Sequence, residues 1–163
     1  MFREGDAVVH PIRGAGVVEA VEKRRWHGSE ALYYRIDLLG QPSSSLMIPV
    51  SAAKTIGVRR AIPRSRLKQV WGVLCTDPMT LPTEHKERYQ LLEDKLHAGD
   101  VLKVAEAVRD MAGRQQSGQL TTRGQRMYQE GLALLAGEIA ATQGINMADA
   151  EAQVKAQLQQ NVQ

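Results

Sequence analysis

The chain has 163 residues, 43% of them hydrophobic and 24% charged, which is typical of a folded globular protein and excludes a disordered one. Its single cysteine, Cys75, excludes an intramolecular disulfide and favours a reducing, cytoplasmic location. No apolar run approaches the roughly 20 residues that a membrane span requires, which argues against a membrane-spanning protein.

The first sixty residues have the short apolar stretches and frequent turn residues of a small β domain. Val8 and Val9 are β-branched and lie between a Gly-Asp pair and Pro11, which is typical of a strand bounded by turns. Gly14 and Gly16 are expected to adopt positive φ or to let another backbone come close. The pattern predicts a strongly bent, five-stranded SH3-like or Tudor-like β-barrel, with strands near residues 6–10, 16–23, 32–38, 45–49 and 56–58.

From Ser65 onward the apolar residues recur at helical spacing. Ser65, Asp100 and Asn146 are expected to be N-caps, and Thr122 with Gln125 matches a capping box. The pattern predicts a frayed end at residues 160–163 and five helices near residues 65–74, 84–96, 101–116, 122–144 and 147–158. The predicted fold class is therefore α+β, with the barrel at residues 1–62 and an all-α domain of about five helices at residues 63–163.

Residue types that carry catalysis or bind metals are not grouped in this sequence. The four histidines are scattered and lack the spacing of a zinc site. Gly14 and Gly16 lack the third glycine and the following helix of a dinucleotide site, and no phosphate-binding glycine loop precedes a lysine. We therefore expect no catalytic residue, no metal and no cofactor, and a protein that is not an enzyme.

Basic residues are concentrated in the front half of the chain. Residues 1–70 carry 12 Lys or Arg against 6 Asp or Glu, whereas residues 71–163 carry 9 against 12. The excess in the front half favours an acidic partner, either phosphate groups or an acidic protein face, although a merely solubilising surface has the same composition.

Several groups of basic residues are candidate binding sites. Arg24 and Arg25 precede Trp26 at an expected hairpin tip, and a tryptophan beside arginine is common at interface hot spots; the alternative is that Trp26 covers the edge of the barrel. A second basic run consists of Arg59, Arg60, Arg64, Arg66 and Lys68. On the helices the candidate phosphate contacts, for which a solvated helix face is the alternative, are Lys86, Arg88, Arg123 and Arg126.

Both halves of the chain contain motifs that match a known family. In the front half these are Gly5-Asp6-Ala-Val-Val-His-Pro11 and the segments 14–20, 48–49 and 56–59. In the helical half they are Arg88-Tyr89 and the segments 96–100, 105–110 and 134–139. Together these motifs resemble the CarD/CdnL family of bacterial transcription regulators, and the resemblance covers about residues 1–145. Its front part is similar to the RNA polymerase-interacting domain that this family shares with transcription-repair coupling factor.

The resemblance implies a non-catalytic regulator that binds the lobe of the RNA polymerase β subunit through its barrel. Its helices would then contact promoter DNA at the upstream edge of the transcription bubble and stabilise the open complex. Arg24 falls where the family has a basic contact to the β subunit, whereas the family's arginine on the fourth strand is Met47 here. The polymerase-binding residues implied are Arg24, Arg25, Trp26, Met47, Ile48 and Pro49. We expect a cytoplasmic monomer that associates with the nucleoid through the polymerase.

The family's tryptophan wedge, which enters the minor groove at the bubble fork, corresponds to His85. An imidazole can stack and donate a hydrogen bond, but it offers less apolar area than an indole. His85 is therefore either a weaker wedge or an ordinary exposed residue. The DNA-binding residues implied are His85, Lys86, Arg88, Arg123 and Arg126.

Two other functions remain open at this point. The first is a polymerase-binding adaptor with little or no DNA contact, which the net negative charge of residues 71–163 favours. The second is a nucleic-acid-binding barrel joined to an unrelated helical oligomerisation domain.

Overall fold

The computed structural model describes residues 1–41 and 43–160; Pro42 and most of the segment expected to fray, residues 161–163, lie outside this range. Its front part is a five-stranded antiparallel sheet with the strand order β4-β3-β2-β1-β5. The strands are β1 (Ala7–His10), β2 (Gly14–Trp26), β3 (Ser29–Leu38), β4 (Ser45–Pro49) and β5 (Arg59–Arg60). The α+β class is confirmed, whereas closure of the sheet into a barrel stays a prediction.

The β2–β3 hairpin is longer than the sequence pattern predicts. Trp26 pairs with Ser29, and the two residues between them, His27 and Gly28, have φ values of 50° and 79°. Positive φ at both central residues is the geometry of the type I′ turn, whose twist matches that of the flanking strands. The turn extends strand pairing to the polar residues at the hairpin tip. Apolar and polar residues do not alternate there, so the sequence pattern does not predict that part of the strands.

The fifth strand was predicted near residues 56–58, which is wrong. A single 3-10 turn (Val50–Ala52) leads into the short helix α1 (Ala53–Ile56), which ends at Gly57. Val58 is buried, and the strand follows it as β5, pairing with Val8 and Val9 of β1. An alternating apolar pattern cannot separate one helical turn from a strand when the segment is this short.

Gly16 confirms the expected close approach of two backbones. A Cβ at this position would lie 2.6 Å from the carbonyl oxygen of Asp37 on β3 and 2.7 Å from Cγ2 of Ile36. Neither neighbour can move without shifting β3. Only glycine therefore allows β2 and β3 to pair closely at this point.

Five helices follow residue 62, as predicted: α2 (Leu67–Leu74), α3 (His85–Leu96), α4 (Val101–Gln116), α5 (Thr122–Gln143) and α6 (Met147–Gln159). Asp100 and Asn146 cap α4 and α6 as expected, each accepting a backbone N–H. Within the described residues, no helix combines the length and the hydropathy that crossing a bilayer requires.

Two of the predicted caps are wrong. Ser65 lies inside a 3-10 turn (Arg64–Arg66), and α2 begins after it without a side-chain cap. The cap of α5 is Thr121 rather than Thr122, because the Thr121 hydroxyl accepts the N–H of Gly124 at 3.0 Å. Adjacent threonines give the same sequence signal, so the pattern alone misplaced this cap by one residue.

Most of the buried apolar residues in the described part of the chain form two clusters. The smaller cluster lies against the sheet and includes Val8, Val18, Tyr34, Ile36 and Ile48. The larger cluster fills the space between the helices, and its fully buried members include Leu74, Leu92, Met111, Leu135 and Ile139. The sheet and the helices therefore each have an apolar core of their own.

A buried ion pair joins the sheet to the helices. The guanidinium of Arg59 on β5 donates to both carboxylate oxygens of Glu138 on α5, at 2.6 and 2.8 Å, and to the carbonyl of Gly99 at 2.7 Å. Glu138 is only 2% exposed and also accepts the N–H of Ile62. The hydrogen bond to Glu138 raises the pKa of Arg59, which favours the charged form of the guanidinium.

Candidate interaction surfaces

The outer face of the β2–β3–β4 sheet carries most of the residues proposed to bind the polymerase. Arg24 and Trp26 are two positions apart on β2, so their side chains lie on the same face of the sheet. Tyr33 and Met47 lie on this face too, because residues that pair directly across neighbouring strands point to the same side. Together with Arg25 these side chains line one shallow depression, which we call the tip surface. Trp26 is 69% exposed, so it does not cover the edge of the sheet.

The tip surface carries a network of charges around one carboxylate. Glu22 accepts from Nε of Arg24 at 2.9 Å and from a terminal guanidinium nitrogen of Arg35 at 2.8 Å. One negative charge therefore lies between two positive ones, which leaves this face positively charged. Arg35 was not among the predicted residues, although alternation along β3 places it on this face, directly across from Met47.

Two of the predicted polymerase contacts differ from the others in exposure. The side chain of Ile48 is buried in the core against the sheet, so it is not part of the tip surface. Pro49 is half-buried and lies opposite Tyr33. β4 is at an edge of the described sheet, so its outer side carries backbone groups that no described strand pairs with.

A second surface forms where the first turns of α3 and α5 meet, and we call it the α3–α5 surface. His85, the first residue of α3, is exposed and its ring tilts against Tyr89 with 6.1 Å between centroids. The guanidinium of Arg123 lies 4.5 Å from the centre of the same Tyr89 ring. Arg126 is exposed one helical turn beyond Arg123, and Lys86 is exposed next to His85.

Tyr89 links the two helices of this surface. Its phenol forms a hydrogen bond with the hydroxyl of Thr121, the N-cap of α5. This hydrogen bond lowers the pKa of Tyr89, and the nearby guanidinium groups of Arg88 and Arg123 add to the effect. The sequence pattern missed Tyr89 because a buried tyrosine at helical spacing reads as an ordinary core residue.

Arg88 is not placed as an exposed phosphate contact. Its side chain is only 3% exposed and donates to the carbonyls of Pro82 and Thr83 at 3.1 Å each. A terminal nitrogen also lies 2.6 Å from Nδ1 of His85. Because a guanidinium can only donate, Nδ1 is the acceptor and Nε2 carries the ring proton of His85. Arg88 thus positions His85 and the loop before it.

The loop between α2 and α3 is also held from the side of α4. One carboxylate oxygen of Asp110 accepts the N–H of Met79 at 2.8 Å and Nε of Arg109 at 2.9 Å. Arg109 in turn donates to the Thr76 hydroxyl at 2.7 Å. A Cβ on Gly113 would lie 2.7 Å from Cγ of Pro78, so loop and helix are in close contact. These contacts fix the position of the loop that leads to His85.

Comparisons with known proteins agree with both halves of this architecture. Residues 2–62 match the family described as "CarD-like/TRCF RID domain", and residues 69–155 match "CarD, C-terminal domain". A protein of Bacillus subtilis (strain 168) named "Putative transcription factor YdeB" is 27% identical over 145 residues, covering 89% of this chain and 94% of that relative.

Both matched families and this relative are proteins of transcription, and the chain is a transcription regulator. It belongs to the CarD family.

Proposed function

We propose that this regulator binds the RNA polymerase β subunit through its tip surface and promoter DNA at the upstream edge of the bubble through its α3–α5 surface. Contact with both would stabilise the open promoter complex. The proposal retains a division between a polymerase-binding part, residues 1–62, and a DNA-binding part, residues 63–163. The match of residues 2–62 to the domain shared with transcription-repair coupling factor supports the first half.

The observation that carries the proposal is the exposed Trp26 next to Arg24 and Met47 on one sheet face. Tryptophan and arginine are enriched among the residues that dominate protein–protein binding energy, because an indole buries a large apolar area and a guanidinium forms directed hydrogen bonds. The unpaired edge of β4 adds backbone donors and acceptors that can extend a partner's sheet. Arg35 supplies a cation beside Met47, where the resemblance implies a basic contact.

The α3–α5 surface is suited to the backbone and minor groove of DNA. Lys86, Arg123 and Arg126 are exposed cations around His85, whose ring is held by Arg88. An imidazole at the fork buries less apolar area than an indole, so open complexes gain less stability than with tryptophan-bearing relatives. Stabilisation requires only that the regulator bind the melted state more tightly than the closed one.

The tip surface is tested by the affinity of the full chain for purified RNA polymerase. Trp26→Ala is expected to weaken binding by about thirtyfold, since hot-spot residues contribute about 2 kcal/mol or more. Arg24→Glu is expected to weaken binding to the polymerase more than Trp26→Ala does at low salt, because the substitution reverses one charge next to Glu22. The matched controls are Ile56→Ala, another exposed apolar residue, and Lys54→Glu, another exposed cation, both on α1. Native affinity of the Trp26→Ala protein would refute this interface.

The competing function is a polymerase-binding adaptor that barely touches DNA. It is favoured by residues 71–163, where 12 acidic residues outnumber 9 basic ones, and by the exposed Glu84 and Glu87 on either side of His85 and Lys86. An adaptor binds DNA-free polymerase as tightly as polymerase on a promoter, and its binding lacks the steep salt dependence of phosphate contacts.

A further inference from the structure

The ten residues from β5 to the start of α2, residues 59–68, carry most of the excess positive charge of the front half. Residues 1–70 have 12 basic and 6 acidic residues, a net charge of +6. Residues 59–68 contain five of these basic residues and no acidic one. Arg64, Arg66 and Lys68 also lie between the two family matches, which end at residue 62 and resume at residue 69. Neither matched domain includes these three residues.

Four of these five side chains are available to a partner. Arg59 is committed to Glu138, but Arg60, Arg64, Arg66 and Lys68 are exposed, and we call these four the junction ridge. Arg60 pairs with Asp6 at 3.1 Å while its side chain stays 60% exposed, so this ion pair is weak.

The other three members of the ridge have no acidic partner. Arg64 donates to the last carbonyls of α5, and Arg66 donates to the amide oxygen of Gln69. Among the described residues, no carboxylate pairs with Arg64, Arg66 or Lys68. Asp100 faces the same depression as Arg66, but its carboxylate caps α4. The ridge therefore keeps a net positive charge.

We propose that the junction ridge binds the phosphate backbone of duplex DNA, as a contact separate from the α3–α5 surface. The fork of a guanidinium matches the oxygens of a phosphate, and an ammonium contributes a further positive charge. The large aliphatic residues of the segment, Ile62 and Leu67, are buried and none of its residues is aromatic. The ridge thus lacks both the rings that stack on single strands and the apolar anchors of a protein interface.

The location of the ridge fits a second contact on the same duplex, and in this respect the inference rests on the proposed function. Arg60 and Arg66 of the ridge line one depression with Gly99, which lies beyond the C-terminal end of α3, whereas His85 is the first residue of that helix. At about 1.5 Å per residue the two contacts are roughly 20 Å apart, which corresponds to about six base pairs of B-DNA. Phosphate contacts carry no sequence information, so the ridge would position the chain rather than choose the promoter.

The test measures binding of the full chain to short fluorescent duplexes of two unrelated sequences over a range of salt concentrations. Arg66→Gln with Lys68→Gln is expected to weaken binding equally on both duplexes and to lower the slope of log affinity against log salt by about 2. The control pair, Lys54→Gln with Lys155→Gln, removes the same charge from exposed positions outside both surfaces and is expected to behave like the native chain.

The outcomes separate this inference from the proposed function. If His85→Ala with Arg123→Ala weakens DNA binding but the ridge variant does not, the ridge is not a DNA contact and the α3–α5 surface stands. If the ridge variant instead weakens binding to DNA-free polymerase, the ridge is a protein contact and the inference is overturned. If the native chain binds neither duplex, both DNA contacts are refuted, while the tip surface is judged by Trp26→Ala alone.

Discussion

Replacing Glu138 by alanine is expected to lower the free energy of unfolding by about 3 kcal/mol, as measured by chemical denaturation. Removing one partner of a buried ion pair costs about 3–5 kcal/mol, because the remaining charge is left without compensation. The side chain of Arg59 is 30% exposed and can recruit water, which places the effect at the lower end of that range. The N–H of Ile62 also loses its acceptor.

Two variants show whether the loss comes from the buried pair. Glu138→Gln keeps an acceptor for Ile62 or Arg59 and is expected to lie between alanine and the native chain. Glu151→Ala breaks an exposed ion pair with Lys155 on α6 and is expected to change stability by less than about 0.5 kcal/mol. If Glu138→Ala unfolds like Glu151→Ala, the Arg59–Glu138 pair does not hold the sheet to the helices.

The second large effect is expected at Arg88. Arg88→Met keeps an unbranched side chain but removes the donors to Pro82, Thr83 and His85, so it is expected to destabilise the chain by about 2 kcal/mol. It is also expected to shorten the lifetime of open promoter complexes about fivefold. The reason is that His85 loses the contact that orients its ring. Open-complex lifetime is measured after addition of a competitor, at a temperature where the variant remains folded.

A double-mutant cycle with His85→Ala tests whether Arg88 acts through His85. If it does, the double variant shortens the lifetime no more than either single variant. Additive effects would mean that Arg88 supports the surface independently of His85. His85→Trp serves as the opposite control, because an indole buries more apolar area in the groove and is expected to lengthen the lifetime. A native lifetime with His85→Ala would reduce His85 to an ordinary exposed residue.

Local sequence patterns predicted most of the helices and strands, because the formation of these elements depends mainly on residues that are close together in the chain. Apolar residues at helical spacing gave the five helices after residue 62, and Asp100 and Asn146 gave two of their caps. Gly16 marked a close approach of two backbones before the partner strand was known. The errors arose where the signal was ambiguous, at the one-turn helix before Gly57 and at adjacent threonines before α5.

The interaction surfaces were only partly predictable. Arg24, Lys86 and Arg123 are exposed, as expected of charged residues, while their binding roles stay predictions. Arg88 was misjudged as an exposed contact, because a sequence does not show which cations are enclosed by carbonyls. The pairing of Arg59 with Glu138 joins residues 79 positions apart, and no local pattern encodes such a contact.

The central claim is that one chain binds polymerase and melted promoter DNA at the same time. The most direct test compares the affinity of the full chain for RNA polymerase alone with its affinity for the same polymerase on an open promoter. The factor by which the regulator stabilises the open complex equals the factor by which it binds that complex more tightly than polymerase alone. We therefore expect binding to be about fivefold tighter or more on the promoter. Equal affinities for the two forms would contradict the account and favour the adaptor.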